Sequence, residues 1–160
     1  MKRVAQSNIY GAGAAGILEL FGDYVDGDAG CAVLVLGSKR PSDASITALD
    51  KSLATFGYGT DAFTVATTRP LVRAMEGGDI PLDPQALFLL VEGLDPLLVI
   101  CIDETTVELL SQAYRTVFKP DSAERVFGRP AVMFRDLDAL MESDAGKQKA
   151  WKLLKSLPRR

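Results

Sequence analysis

The 160-residue chain has no histidine, only two cysteines and no long apolar run. Without histidine it lacks the side chain most often used as a general acid or base near neutral pH. Cys31 and Cys101 do not have the close spacing of zinc or iron–sulfur ligands, so the sequence predicts no metal site, no disulfide framework and no cofactor. No apolar run approaches the roughly 20 residues that span a bilayer. These absences favour a soluble cytoplasmic protein with no membrane partner.

Apolar runs and helix-like stretches alternate along the chain. The first run is residues 32–36 (AVLVL), and three more follow at residues 62–67, 97–102 and 131–134. Short apolar runs separated by helices are typical of parallel strands that are covered on both faces. The sequence therefore predicts one α/β domain over residues 1–160, with three α/β/α layers around a four-stranded parallel sheet.

Capping residues mark where the predicted helices begin. Apolar residues at helical spacing predict a lead-in helix over about residues 14–25 and a C-terminal helix over about residues 144–157. Residues 42–45 (SDAS) offer N-cap side chains before one further helix, and Asp83 and Asp103 stand at N-cap positions before two others. The predicted irregular connections are a long crossover at residues 68–82 and a polar loop at residues 120–130.

The last predicted helix is basic. The chain has 18 basic and 21 acidic residues; six of the basic ones and none of the acidic ones lie in residues 147–160, so residues 1–146 carry a net charge of −9. Cations are favoured near the carboxyl end of a helix because its dipole is negative there. The alternative is a patch that contacts phosphate. In the same helix we expect Trp151, Leu154 and Leu157 to be buried against the sheet.

Two stretches of sequence resemble the uracil-DNA glycosylase superfamily. The run from Leu94 to Leu110 has that family's succession of a helix end, Asp-Pro, a buried strand and a second helix. Residues 138–154, which contain Ala150-Trp151, are similar to its closing helix. With the order of elements, the resemblance covers about residues 31–157. It implies a sheet ordered 2-1-3-4 and hydrolysis of an N-glycosidic bond after base flipping.

The chain departs from the family at the positions of the family's catalytic residues. The first loop retains Gly37 and Pro41 but has Ser38 at the position of the acidic residue. Residues 134–138 replace the loop that holds the family's histidine, and the loop after the second strand lacks its asparagine. Because each such group typically contributes about 10² to 10⁴ in rate, we expect no uracil excision. The resemblance then implies a catalytically degenerate module that binds DNA, a nucleotide or a protein partner.

The candidate site residues follow the strands, because parallel α/β sheets bind ligands at the carboxyl ends of their strands. Asp103, Asp136 and Asp138 are the candidate catalytic carboxylates, and helix N-caps in the alternative interpretation. Lys39 and Arg40 precede a predicted helix, which indicates a phosphate site at its amino end, with solvated surface cations as the alternative. The other residues predicted to bind phosphate or ligand are Gly37, Ser38, Ser42, Thr67, Arg69 and Arg135.

Two other functions stay open at this point. One is an active hydrolase of bases or nucleosides that uses the three aspartates in a rearranged site. The other is a flavodoxin-like binder of a small molecule or nucleotide that uses residues 38–42. A GxGxxG motif at residues 11–16 is not interpreted as a dinucleotide fingerprint, because no buried strand precedes it.

Overall fold

The computed structural model describes residues 16–71 and 80–160. The strands of this part are β1 (Val25–Asp26), β2 (Val33–Gly37), β3 (Phe63–Thr67), β4 (Leu98–Cys101), β5 (Ser122–Val126) and β6 (Arg129–Met133). Its helices are α1 (residues 16–21), α2 (Asp43–Thr55), α3 (Pro84–Leu94), α4 (Glu104–Ala113), α5 (Leu137–Leu140) and α6 (Asp144–Leu154). Three predicted segments fall outside the described residues: most of the glycine motif (11–15), the start of the lead-in helix (14–15) and part of the crossover (72–79).

The strands form one six-stranded sheet in the order β1-β3-β2-β4-β6-β5. Strands β3, β2, β4 and β6 are parallel neighbours in its centre. Strands β1 and β5 pair antiparallel along its two edges. The prediction of a four-stranded, wholly parallel sheet ordered 2-1-3-4 is therefore wrong, because the sheet is mixed and has two more strands.

The two unpredicted strands are short or polar, so neither produces an apolar run. Strand β1 has only two residues. It follows a 3-10 turn, Gly22–Tyr24, which comes directly after the end of α1. Strand β5 (SAERV) alternates between half-buried and exposed residues before its buried last residue, Val126, as a strand at the edge of a sheet can. It is joined to β6 through Phe127 and Gly128, both with positive φ, the geometry of a two-residue hairpin turn. A phenylalanine at such a position gives no turn signal in the sequence.

The sheet is covered by helices on both faces. Leu34 and Leu36 of β2 pack with α1, α3 and α4, whereas Val33 and Val35 pack with α2, α5 and α6. This alternation follows from the period of two along a strand. The resulting α/β/α layering places α2 and α4, the helices that follow β2 and β4, on opposite faces of the sheet.

Each long helix after α1 begins at a capping side chain. The predicted N-caps Asp83 and Asp103 accept hydrogen bonds from backbone N–H groups three residues later, at 2.7 and 2.9 Å. Within the predicted capping run 42–45, Ser42 is the residue that accepts such a bond, at 3.2 Å. Ser143 does the same for α6 at 3.0 Å. Caps of this kind typically stabilise a protein by about 1 kcal/mol each. They fix where the loops after β2 and β4 become helix.

The chain end folds back on the end of α2. The Tyr58 hydroxyl donates to the Pro158 carbonyl at 2.8 Å, and the Arg160 amide donates to the Phe56 carbonyl at 2.8 Å. Leu154 and Leu157 are buried, as predicted. The burial of Trp151 was predicted wrongly: the side chain is 38% exposed and lies against Phe56 at the edge of a groove between α2 and α6.

Candidate functional site

The loops after β2 and β4 flank the point where the strand order reverses, since β3 lies on one side of β2 and β4 on the other. Ligands of open α/β sheets usually bind in that crevice. Here the Asp103 carboxylate joins the two loops. Its Oδ2 accepts hydrogen bonds from the Ser38 amide at 2.8 Å and the Ser38 hydroxyl at 2.9 Å, while Oδ1 caps α4. This carboxylate therefore has three protein donors of its own.

Gly37 is tightly packed beside the Asp103–Ser38 link. A Cβ at this position would lie 2.7 Å from Cδ1 of Ile102 and 2.8 Å from the Lys39 carbonyl oxygen. The predicted ligand-binding Gly37 is buried at the end of β2. Its small size lets the two loops approach each other.

Asp138 lies at the amino end of α2, where a phosphate was predicted. Its Oδ1 accepts hydrogen bonds from the Ser42 amide at 3.0 Å and the Ser45 hydroxyl at 2.6 Å. Burial acts to raise the pKa of Asp138, but the hydrogen bonds from Ser45 and Ser42 and the charge of Lys39 outweigh it, so the pKa lies below its usual value. The chain's own carboxylate thus supplies the anion that this helix end favours.

Asp136 is the third candidate carboxylate and is exposed. Its Oδ1 caps the short helix α5 by accepting the Ala139 amide at 3.1 Å. The backbones of Asp103 and Asp136 form an antiparallel bridge. The structure therefore brings the three aspartates to one end of the sheet, with each engaged by backbone or hydroxyl donors.

A cleft of about 660 Å³ opens beside this cluster, at the carboxyl ends of β2 and β3. None of the three aspartates lines it. Arg40 forms an ion pair there with Asp26 of β1, a partner that sequence reasoning missed because β1 itself was missed. We call this the strand-end cleft; the predicted ligand residues that line it are Ser38, Lys39, Arg40, Thr67 and Arg69.

Besides the buried Gly37, two predicted ligand residues do not line the strand-end cleft. Ser42 is the N-cap of α2 and is not among the lining residues. Arg135 pairs with Glu104 at 2.7 Å and with Asp121 at 3.7 Å, and it does not line the cleft either. Arg135 therefore does not share this cleft with Arg69.

The basic residues of α6 and the chain end form a second charged region. In the described part of the chain, none of these side chains has a carboxylate within salt-bridge distance. Arg159 lies over the ring of Phe56, with its guanidinium carbon 4.1 Å from the ring centre. We call this region the α6 basic surface; its members are exposed and are Lys147, Lys149, Lys152, Lys155, Arg159 and Arg160.

A groove of about 560 Å³ separates α2 from α6 and borders this surface. Lys51 of α2 and Lys147 of α6 line it from its two sides, and Trp151 lines it as well. The helical spacing of Lys147 and Trp151 places both on one face of α6. Sequence reasoning assigned Trp151 to the core because tryptophan at helical spacing among leucines is usually buried.

At the opposite end of the sheet, charged groups form a hydrogen-bond network within the protein. Arg129 bonds to Glu92 at 2.8 Å and to Asp95 at 2.7 Å, and Tyr114 donates to Glu92 at 2.7 Å. Burial acts to raise the pKa of Glu92, but the hydrogen bonds from Arg129 and Tyr114 outweigh it and leave that pKa below its usual value. This network ties α3 to β6 and α4.

No group of three or more potential metal ligands occurs among residues 16–71 and 80–160. No helix in the same ranges is long and apolar enough to cross a membrane. No known protein family and no curated protein sequence matches the chain. The resemblance to the uracil-DNA glycosylase superfamily thus rests on the sequence stretches themselves and stays a prediction.

Proposed function

We propose that the chain is a catalytically degenerate, uracil-DNA glycosylase-like module that binds nucleic acid through the α6 basic surface. The observation that carries this proposal is the absence, among the described residues, of acidic partners for the cations of α6. Cations that form no internal ion pair keep their charge available for phosphate groups. Phosphate contacts supply most of the affinity of non-specific nucleic-acid binding.

The engagement of the aspartates supports the loss of catalysis. A general base must reach the proton that it removes, directly or through one water molecule. Asp103 and Asp138 each accept hydrogen bonds from two or more protein donors, and neither lines the strand-end cleft. The lowered pKa of Asp138 also makes it a weak base near neutral pH.

The α6 basic surface is a better candidate for contacting phosphate than the residues that follow β2. Arg40 is paired with Asp26, and Asp138 lies at the amino end of α2 that a phosphate would use. Lys39 is close enough to Asp138 to lower its pKa. A phosphate arriving there would compete with carboxylates that the fold already holds in place, whereas a phosphate at α6 would not.

Binding of labelled single- and double-stranded DNA across salt concentrations tests the proposal. Four phosphate contacts predict a slope of about −3 in the logarithm of the association constant against that of salt for a single strand. The double variant Lys152→Glu, Lys155→Glu should weaken binding more than Lys39→Glu, Arg40→Glu, which makes the same change in net charge. Equal losses from both variants, or no binding at low salt, would contradict the proposal.

A glycosylase assay tests the catalytic part separately. We expect no formation of abasic sites in uracil-containing DNA. Abasic-site formation that is lost in Asp103→Asn or Asp136→Asn would instead establish the alternative, a hydrolase of N-glycosidic bonds with a rearranged carboxylate site.

The strand-end cleft favours a second candidate function, the binding of a nucleotide or another small molecule. Its volume of about 660 Å³ lies within the range typical of small-molecule sites, and it opens at the carboxyl ends of β2 and β3, the side of such a sheet on which ligands usually bind. Isothermal titration calorimetry with a nucleoside triphosphate tests this candidate. Saturable binding that is reduced in Lys39→Ala but retained in Lys152→Ala would support it, and no heat of binding would exclude it.

A further inference from the structure

The groove between α2 and α6 is bounded by two helices that are fixed to the same face of the sheet. Leu49 and Leu53 hold α2 there, and Ala150 and Leu154 hold α6. The α2 residues that line the groove run from Asp43 to Thr55, the first and last of its 13 residues, so the groove extends along about 20 Å of helix. Its walls therefore belong to rigid elements rather than to loops.

Trp151 provides a flat aromatic surface in this groove. Its ring stacks on Phe56 with centroids 5.2 Å apart and an angle of 25° between the planes. Phe56 in turn carries the guanidinium of Arg159 over its ring. The indole is thus held in one orientation, yet it is 38% exposed and lines the groove. Such preorganisation reduces the entropy lost when a planar ligand stacks on it.

The charges that line the groove are mostly positive and lie on both of its sides. Lys51 and Lys147 have no acidic partner within salt-bridge distance among the described residues. Asp43, the acidic lining residue, is in the first turn of α2, at the end away from Phe56 and Trp151. A chain with planar groups and repeated negative charges would match a groove that has an aromatic ring and a cation on each wall.

We propose that single-stranded nucleic acid lies in the α2–α6 groove, with one base stacked on Trp151 and its phosphates near Lys51 and Lys147. This inference rests on the proposed nucleic-acid function and names the strand type and the position of a base. Stacking on aromatic side chains tolerates any base, so the site should show little sequence preference. Duplex DNA, whose bases are already stacked on one another, would meet only the lysines.

The single tryptophan of the chain makes the proposal directly measurable. We expect an unmodified oligothymidylate of about 12 nucleotides, a length that one single-strand-binding domain covers, to change the emission of Trp151 in a saturable way. Trp151→Leu should weaken single-strand binding about 5- to 150-fold, with little effect on duplex binding. Trp151→Phe, which retains a smaller ring against Phe56, should keep part of the affinity.

Two pairs of lysines on α2 and α6 provide a second test. It remains valid even if the changes at Trp151 disturb the fold. The variant Lys51→Ala, Lys147→Ala removes two charges that line the groove. The matched variant Lys149→Ala, Lys152→Ala removes two charges that line a different depression on the other side of α6. We expect the first pair to weaken single-strand binding more than the second, and circular dichroism to be the same for both.

The outcomes separate this inference from the proposed function. Salt-dependent binding with unchanged tryptophan emission and equal losses from both lysine pairs would overturn the groove site and leave the α6 basic surface standing. No binding of any nucleic acid at low salt would overturn both. An emission change with an acidic amphipathic peptide but not with the oligonucleotide would overturn the nucleic-acid occupant in favour of a protein helix.

Discussion

The charged side chains at the carboxyl ends of the strands and those on α6 are arranged in opposite ways. At the strand ends, Asp103 and Asp138 each accept hydrogen bonds from parts of the chain far away in sequence, and Arg40 pairs with Asp26. On α6, the lysines are exposed and have no acidic partners among the described residues. Charges of the first kind stabilise the fold, whereas charges of the second kind are available to a ligand.

This difference has a general physical basis. A carboxylate that is taken partly out of water must recover its hydration through hydrogen bonds, and backbone amides at helix starts provide them. Exposed lysines lose no hydration and so need no internal partner. A carboxylate near a crevice is therefore weak evidence of catalysis until its hydrogen-bond partners are known, and unpaired cations on one helix are better evidence of binding.

The largest expected effect on stability is at Asp103. Asp103→Ala removes the cap of α4 and both bonds to Ser38, so we expect it to lower the free energy of unfolding by about 3 kcal/mol. Asp136→Ala is the matched control, because it removes a cap without a link between two loops, and should cost about 1 kcal/mol. Urea denaturation measures both. Equal losses would show that the Asp103–Ser38 link adds nothing to stability.

The next largest effect is expected at Gly37. Gly37→Ala places a methyl group within 2.8 Å of both Ile102 and the Lys39 carbonyl, so we expect a loss of about 1 to 3 kcal/mol from overpacking. Gly30→Ala is the control, since nothing lies within 4 Å of its Cβ position, and should change stability by less than about 0.5 kcal/mol. If Gly37→Ala were neutral in thermal unfolding, the loops after β2 and β4 would not need their close approach.

A smaller effect, dependent on pH, is expected at Asp138. Its folded-state pKa lies below its usual value, so its contribution to stability is present above the unfolded carboxyl pKa of about 3.9 and is lost as the pH falls through the lower folded pKa. Asp138→Asn should reduce stability by about 1 to 2 kcal/mol at pH 7 and by less in strong acid. Denaturation series at several pH values measure the difference. A loss that is independent of pH would contradict the role of the ionised carboxylate.

Local sequence patterns predicted the parts of the fold that depend on neighbouring residues. The apolar runs located the four central strands. Asp83 and Asp103 were identified as caps, and the cap Ser42 was one of the candidates at residues 42–45, because the N-cap pattern spans only four residues. Strands β1 and β5 were missed because edge strands are short or polar and their pairing partners are distant in sequence.

The arrangement of the site depended on contacts that no local pattern encodes. Ser42 and Asp138 are 96 residues apart, and Ser38 and Asp103 are 65 apart. The sequence offered Asp103, Asp136 and Asp138 as either catalysts or helix N-caps. Asp103 and Asp136 are N-caps, whereas Asp138 lies within α5 and accepts hydrogen bonds from the start of α2. The pairing of Arg40 was hidden for the same reason, since it requires β1. The charged residues could be identified from the sequence. Whether they are free to contact a ligand or are engaged within the fold could not.

The smallest effect on stability is expected for changes to the lysines of α6. Lys149→Ala, Lys152→Ala removes two charges that form no ion pair among the described residues, so the free energy of unfolding should change by less than about 0.5 kcal/mol. Alanine has the best helix propensity and the variant relieves repulsion between like charges, so any change should be stabilising at low salt and should shrink as salt is added. Urea denaturation at two salt concentrations measures both features. A loss of more than about 1 kcal/mol would mean that these lysines hold the helix in place, and the contrast between charges that stabilise the fold and charges left for a ligand would no longer hold.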